Sequence, residues 1–226
     1  MLVSVQEFAR EKLDSTDPVF GRHAQHFSAL GTEEGFGRIH AERKALLADL
    51  DNLQAAARFA LSQGDRTAAG QAAIALQELT SNIGPLSAPY DLLQACLQRW
   101  PDATDFLQVL MYWGHGSVSA VSRSEDQAMT SYRAALAICD LTSPGGRGMA
   151  AQCRNDLGLL LARQQRFDEA EPHFLAGLEV LGSTRYEQQK RALLLSGLAN
   201  LYRRSGQAAR AVPLYGEALA IQRRHQ

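Results

Sequence analysis

The apolar positions in the C-terminal part of the chain recur with the period of an α-helix. Between Ala192 and Gly206 they fall on one face of a first predicted helix, at Leu198, Ala199 and Tyr202. Gly206 predicts a turn, and a second amphipathic helix follows it. The apolar stripe of this second helix consists of Ala211, Tyr215, Ala218 and Leu219. The stretch from 192 to 226 therefore predicts a helical hairpin whose closest contact is marked by small residues.

The same pattern occurs 41 residues earlier in the chain. The equivalent positions there are Leu157, Gly158, Leu161, Ala170, Phe174, Gly177 and Leu178, and Pro172 corresponds to Pro213. A third copy lies 42 residues before the second and is clearest in its second helix, at Ala128, Tyr132, Ala135 and Leu136. A fourth copy keeps only the second-helix positions Ala88, Leu92, Ala95 and Cys96. Because a single hairpin cannot bury its apolar face, repeated hairpins stack into a solenoid with a concave binding surface.

These residues and their spacing resemble the tetratricopeptide repeat family. The intervals of 40 to 42 residues exceed the usual length of about 34, so the resemblance is to the longer repeats of the kinesin light chain type. It implies an all-α fold, a right-handed superhelix of helical hairpins. We predict an N-terminal helical segment over 1–65 and a repeat array over 66–226, with approximate repeats at 69–108, 109–150, 151–191 and 192–226.

The N-terminal segment is also predicted to be helical. Apolar positions predict a helix over 2–14, Asp17-Pro18 begins a second helix that extends to about Leu30, and a third runs from Thr32 to Gly64 with a bend near Asp51. The order VQEFAREKL, GRHAQHFSAL and LLADLDNLQAAARFALSQGD resembles the segment before the repeats of bacterial LuxR-type and related signalling ATPases that regulate transcription. The resemblance implies the sensor region of such a regulator. The phosphate-binding pattern GxxxxGK[ST] and a recognisable DNA-binding helix pair are absent from the sequence.

Composition narrows the choice of partners. The net charge is -1, the pI is near 6.6 and 46% of residues are hydrophobic, so nucleic acid is not an expected partner. The longest apolar run is too short to span a bilayer, and the N-terminus lacks the pattern of a signal peptide. We therefore expect a cytoplasmic protein without a membrane contact. The three cysteines, Cys96, Cys139 and Cys153, have neither disulfide nor zinc spacing.

Candidate chemical sites in the sequence are few. His23 and His26 lie one turn apart, but no cysteine or carboxylate is spaced to complete a metal site with them. The stretch TSPGGRG at 142–148 is predicted to be a loop, and its glycines beside Arg147 suit a phosphate as well as a simple turn. Ser117 lacks the GxSxG context of a nucleophile. We therefore predict no catalytic residues, no cofactor and no metal.

The resemblance implies which residues contact a partner, because in tetratricopeptide arrays the first helix of each hairpin lines the groove. Mapped onto this chain, the predicted groove residues are Trp113, Gln152, Asn155, Arg163, Asn200, Arg203 and Arg204. Amide and guanidinium groups on one surface suit the backbone and carboxylates of a peptide. From Arg191 to the C-terminus there are six arginines and one acid, which favours an acidic partner.

The leading hypothesis is thus a non-enzymatic module that binds a protein, peptide or effector, as the sensor region of a bacterial regulator. A stand-alone scaffold protein and an enzyme on a helical-repeat fold remain as alternatives. The last helix carries apolar residues around about half of its circumference, so one partner helix hides only part of them. We expect Leu214 and Ile221 to stay uncovered and to support a homodimer through the C-terminal repeat.

Overall fold

The computed structural model describes residues 17–81, 83–122 and 124–224. All regular structure in these ranges is helical, which confirms the predicted fold of helical hairpins. The chain forms two compact units, one up to Pro101 and one from Asp102 onward. The helix expected over 2–14 lies outside the described residues. The segment boundary at residue 65 and the four repeat ranges stay predictions.

The first unit is a bundle of helices joined by short connections. Its α-helices are α1 (Pro18–Ser28), α2 (Glu33–Leu46), α3 (Leu50–Gln63), α4 (Arg66–Thr80) and α5 (Ser87–Arg99), with 3-10 turns at Ala29–Gly31 and Leu47–Asp49. The Asp17 side chain caps α1, and the hydroxyl of Thr32 caps α2 by accepting a bond from the Gly35 amide. Gly64 ends α3 with φ of 76°, a conformation that glycine adopts without strain.

The segment expected as one bent helix from Thr32 to Gly64 is two α-helices, and the break between them lies just before the bend expected near Asp51. The 3-10 turn at Leu47–Asp49 separates two α-helices, and Glu42 has non-helical dihedral angles within α2. Ile39, Leu46 and Leu53, spread over both helices, are all buried in the first unit. Alanines on α3 and α4 are 0 to 2% exposed there, namely Ala56, Ala57, Ala60, Ala69, Ala72, Ala73 and Ala75.

The second unit consists of three successive helical hairpins. Their helices are α6 (Phe106–Val121) with α7 (Glu125–Ile138), α8 (Pro144–Arg163) with α9 (Phe167–Glu179), and α10 (Arg185–Arg204) with α11 (Ala208–Arg224). The first helices α6, α8 and α10 pack against one another in order, whereas the second helices stand further apart. The first helices therefore form the inner side of this unit, and the second helices form its outer side.

Phe174 is the centre of packing between the last two hairpins. Its side chain is fully buried, and it lies between two glycines. A Cβ atom added to Gly158 would come within 2.7 Å of the ring, and one added to Gly197 within 2.5 Å. Ala170 and Ala211 are 0% and 3% exposed, as the repeat pattern predicts for the closest helix contacts. The hairpin register inferred from the sequence is thus the register of the fold.

The structure corrects the prediction of a loop over 142–148. Ser143 caps α8 by accepting a bond from the Gly146 amide at 3.0 Å, and Pro144 occupies the first turn. The glycines serve close packing instead of flexibility. A Cβ atom on Gly146 would lie 1.8 Å from the Asp140 carbonyl oxygen, and one on Gly148 would lie 2.1 Å from the Tyr186 ring.

The structure also corrects the expected exposure of the last helix. Ile221 is only 6% exposed, because it packs with Ala218 against Ala192 and Leu195 on α10. Leu214 is half-buried in the same contact. The exposed apolar residues of α11 are instead Val212 at 70% and Leu219 at 45%. The helix is rotated so that its small residues face α10 and these two face outward.

Among the helices that the structure describes, none combines the length and the apolar character needed to cross a bilayer.

Candidate binding surface

The inner side of the second unit carries a continuous row of polar and apolar side chains, which we call the inner face. It is contributed by α6, α8 and α10 at helical spacing, so each helix presents one stripe. Its members are Trp113 and Ser117 on α6, Gln152, Asp156, Leu159 and Arg163 on α8, and Lys190, Leu193, Asn200 and Arg203 on α10.

Asp156 is the centre of a hydrogen-bond network on the inner face. The indole Nε1 of Trp113 donates to its Oδ2 at 2.9 Å. Gln152 donates through Nε2 to both carboxylate oxygens, at 3.0 and 3.1 Å, and the Nδ2 of Asn155 donates to Oδ1 at 3.0 Å. These bonds fix the orientation of the Trp113 ring and of the Gln152 amide before any partner arrives.

Lys190 extends the network from α8 to α10. Its Nζ donates to the Oε1 of Gln152 at 2.8 Å and lies 5.3 Å from the centre of the Tyr186 ring. Trp113, Gln152 and Lys190 thus connect three successive first helices through polar side chains. Because neighbouring hairpins share these bonds, the inner face is held as one surface across the three helices.

The charge on Asp156 is only partly compensated. Burial raises the pKa of its carboxyl, and the hydrogen bonds from Trp113, Gln152 and Asn155, together with the more distant charge of Lys190, oppose that rise. All three side chains that contact the carboxylate directly are neutral. The charged form of Asp156 is therefore unfavourable for stability, and its effect is to orient the side chains of Trp113, Gln152 and Asn155.

The predicted groove residues fall into two groups. The structure brings Trp113 and Gln152 together on the inner face at half-exposed positions. Asn155, in contrast, is 1% exposed, so it supports Asp156 and does not reach a partner. Arg163 is exposed, but it pairs with Glu125 at 3.0 Å and donates to the Ala120 carbonyl.

The predicted residues near the end of α10 are also dispersed. Asn200 accepts a hydrogen bond from the Tyr215 hydroxyl at 2.7 Å, which ties it to α11. Arg204 lies over the ring of Phe167 at 5.9 Å and is thus directed towards the preceding hairpin. Arg203 is exposed, and its contact with Asn200 is long, at 3.5 Å. Of this group, Arg203 is the residue best placed to meet an acidic side chain.

Sequence reasoning missed Asp156 and Lys190. One signal for Asp156 was present, because the equivalent positions in the neighbouring hairpins are Gly114 and Gly197. A carboxylate that replaces a glycine at a helix contact needs donors nearby. Lys190 had no such signal, since its bond to Gln152 joins residues 38 apart.

The second polar contact between α8 and α10 is the pair Arg147 and Glu187. Glu187 is fully buried, and its Oε1 accepts bonds from the Arg147 Nε at 2.6 Å and the Gly182 amide at 3.1 Å. Thr184 donates to Oε2 through its amide and its hydroxyl. The guanidinium of Arg147, followed by the bonds from Thr184, lowers the pKa of Glu187 to about 2. Arg147 is thus engaged in the fold, which removes the phosphate site considered for 145–148.

Other candidate chemistry in the described residues is structural. The rings of His23 and His26 both pack on Phe27, and no group of three potential metal ligands occurs in the described part of the chain. Burial raises the pKa of Cys96 and of Cys139 to about 11, and it also raises the pKa of Cys153. These thiols are therefore poor nucleophiles near neutral pH.

The hairpins α8 to α11 have the family pattern in sequence as well as in structure. Residues 155–224 match the tetratricopeptide repeat family. Among solved structures, the crystal structure of MamA protein is similar with a TM-score of 0.59 at 15% identity, over 90% of this chain and 93% of that chain. The crystal structure of BtubC (BKLC) from P. vanneervenii gives 0.59 at 14% identity, over 91% and 92%. Similarity at these identities concerns the fold alone, and no curated protein sequence matches the chain.

Proposed function

We propose that the inner face binds an extended segment of a partner protein, and that the chain is a non-enzymatic interaction module. The observation that carries the proposal is the Asp156 network, which holds Trp113 and Gln152 in fixed orientations at half-exposed positions. A fixed indole and a fixed amide are suited to a peptide, because they offer an apolar surface and hydrogen bonds at little cost in conformational entropy. Concave surfaces of helical-repeat arrays commonly have this role.

The side chains around the network indicate the chemistry of the segment. Leu159 and Leu193 are 41% and 39% exposed on the inner face, which favours apolar side chains in the partner. Lys190 lies one turn before Leu193 on α10, and Arg203 lies further along the same helix. Cationic groups next to exposed leucines favour a segment that has both acidic and apolar residues.

The spacing of the helices sets the length of the segment. Packed helices lie about 8 to 10 Å apart, so the distance from α6 to α10 is roughly 20 Å. An extended chain advances about 3.3 Å per residue. A segment of about seven residues therefore contacts all three first helices.

Labelled seven-residue peptides test this proposal. A library with Asp or Glu alternating with Leu or Phe is titrated with the protein by fluorescence anisotropy, beside a library in which Lys replaces each acid. We expect binding from the acidic library that weakens in the Gln152→Ala and Arg203→Ala variants. Arg223→Ala, at an exposed position on α11, is the matched control. Equal binding of both libraries, or no binding by either, would overturn the proposal.

We further propose that the module is the sensor region of a bacterial signalling regulator and that it works in the cytoplasm. The support is the resemblance of residues 1–65 to the segment that precedes the repeats of LuxR-type regulators. Sequencing the coding frame around this segment in its natural gene tests the role. An ATPase and winged-helix region in the same frame is the expected result, and a frame that contains neither would favour a stand-alone scaffold.

We also propose that the chain forms a two-fold dimer through the outer surface of α11. Leu178 on α9 is half-buried against the α10–α11 hairpin, whereas its equivalent on α11, Leu219, is 45% exposed. Val212 lies two turns before Leu219 on the same face and is 70% exposed. Light scattering over a concentration series should show a dimer that Leu219→Glu dissociates. A monomer at all concentrations in the parent protein would contradict this proposal.

A further inference from the structure

The outer side of the second unit has two equivalent grooves. In the first groove, α7 and α9 stand apart over α8, and in the second, α9 and α11 stand apart over α10. The repeat pattern relates the two grooves position by position, so their side chains can be compared directly. We call them the first and second outer groove.

The second outer groove has leucines at three facing positions, and its lining also includes Arg191, Arg210 and Glu217. It forms an open cleft of about 490 Å³. Leu175 on α9, Leu195 on α10 and Leu214 on α11 line it, each from a different helix.

The three equivalent positions in the first outer groove carry basic side chains. Arg133 precedes Leu175 by 42 residues, and Arg154 and His173 precede Leu195 and Leu214 by 41. Each of α7, α8 and α9 thus contributes one nitrogen-bearing side chain where the next groove has a leucine. Since the same backbone arrangement accommodates leucines one repeat later, packing does not require these basic groups.

The basic groups have unused donor capacity. The Arg154 Nε and the His173 Nδ1 are buried and have no hydrogen-bond partner among the described residues. Within the same part of the chain, no ion pair involves Arg133 or Arg154. A buried donor such as the Arg154 Nε–H is costly without an acceptor, and an anion in the groove would supply one. The His173 Nδ1 donates in the tautomer that carries its proton there.

The acidic group in the first outer groove, Glu169, compensates only part of its charge. The bond from Arg166 chiefly, and the charges of Arg133 and His173 more weakly, lower the pKa of Glu169. Glu169 on α9 is held by Arg166 through two hydrogen bonds of 2.7 Å, and Cys139 at the end of α7 has a raised pKa. Burial first, and then the charges of Arg154 and Arg133, lower the pKa of His173, with Glu169 acting in the opposite direction. The groove is therefore a region of positive potential in which the imidazole is mostly neutral at pH 7.

We propose that the first outer groove, through Arg133, Arg154 and His173, binds a phosphate group, such as that of a phosphorylated side chain in a partner. Two guanidinium groups provide forked donors on two helices, and the imidazole provides a third donor from α9. Three donors on three neighbouring helices suit the three terminal oxygens of a phosphate monoester better than the two of a carboxylate. The site lies on the outer side, so it is independent of the inner face.

Phosphate binding is measured by isothermal titration calorimetry of the full chain with inorganic phosphate, a phosphoserine peptide, its unphosphorylated form, and acetate. We expect saturable binding of the two phosphate-bearing probes alone. Arg154→Leu and His173→Leu give the groove side chains that the second outer groove already accommodates, so both variants should remain folded by circular dichroism. Each should weaken phosphate binding by about tenfold or more, since a charge-assisted bond is lost. Arg223→Gln is the control and should bind as the parent does.

The outcomes separate the possibilities. Binding of inorganic phosphate without the peptide identifies a free-anion site and overturns the assignment to a phosphorylated partner. Absence of phosphate binding in the parent, equal binding of acetate, or unchanged binding in both leucine variants would overturn the site itself. As a second readout, saturating phosphate should raise the pKa of the His173 ring in an NMR titration, and an unchanged value would also contradict the proposal.

Discussion

Two carboxylates connect α8 with its neighbours in very different surroundings. Glu187 is fully buried and paired with the guanidinium of Arg147, and its pKa is lowered to about 2. Asp156 accepts bonds only from neutral side chains, and burial raises its pKa. The fold thus favours the charged form of the Glu187 carboxyl at one end of the α8–α10 contact and disfavours the charged form of the Asp156 carboxyl on the inner face.

The difference separates a stabilising contact from a surface prepared for binding. The Glu187 carboxylate has its hydrogen bonds satisfied by Arg147, Thr184 and Gly182, all within the fold. Two of the three side chains that donate to Asp156, Trp113 and Gln152, are instead half-exposed on the inner face. We infer that Glu187 contributes to the stability of the hairpin stack and that Asp156 positions groups for a partner.

Removing the partner of the buried carboxylate should have the largest effect. Arg147→Ala leaves Glu187 charged and buried, so we expect the free energy of unfolding to fall by about 3 kcal/mol. Urea denaturation measures the change. Arg166→Ala, which removes the exposed pair with Glu169, is the control and should change the free energy of unfolding far less, because solvent screens exposed pairs. Equal losses in the two variants would mean that the Glu187 pair does not hold the hairpins together.

The two carboxylates should also respond to acid with opposite sign. The pKa of Glu187 is lowered in the fold, so its contribution to stability is present above pH 4.5 and is lost as the pH falls towards 2. The pKa of Asp156 is raised in the fold, so its contribution becomes more favourable as the pH falls through its raised value.

Urea denaturation of two variants between pH 6 and pH 2.5 measures this contrast. Glu187→Gln should lose less stability on acidification than the parent does, and Asp156→Asn should lose more. The same pH dependence in the parent and both variants would show that neither carboxyl has a shifted pKa.

Substitution of Asp156 itself should have the smallest effect on stability. Asp156→Asn removes a costly charge but weakens the four hydrogen bonds from Trp113, Gln152 and Asn155, and these effects oppose each other. We expect the free energy of unfolding at pH 7 to change by about 1 kcal/mol or less, while binding of the acidic peptides weakens clearly. A large loss of stability with unchanged peptide binding would place Asp156 in the same structural class as Glu187.

The sequence was sufficient to predict the hairpin register. Small residues recur in the repeats at the positions of Gly158 and Ala170, where Phe174 and the neighbouring helices pack. It was misleading at 142–148, because a glycine-rich stretch looks the same in the sequence whether its glycines permit close helix contacts or form a loop. The side of α11 that packs against α10 was also not predictable, because apolar residues cover half of the helix. The sequence does not show that Ile221 faces α10 and that Leu219 faces outward.

Two hydrogen bonds of the inner-face network join residues in different hairpins, and the periodicity of the sequence does not predict such contacts. Trp113 and Asp156 are 43 residues apart, and Gln152 and Lys190 are 38 apart. The helical period places each side chain on the inner side, but the choice of hydrogen-bond partner depends on the spacing between hairpins. For this reason Trp113 and Gln152 could be predicted as groove residues, and the central role of Asp156 could not.

The indole resonance of Trp113 tests the central claim most directly. The chain has two tryptophans, so Trp100→Phe leaves a single indole N–H signal in a proton–nitrogen correlation spectrum, and that signal belongs to the bond with Asp156. If the inner face binds an acidic, extended peptide, titration with the best peptide should move this signal to saturation, and the movement should be lost in Gln152→Ala. A peptide that binds fully while the Trp113 indole signal stays in place would contradict the account.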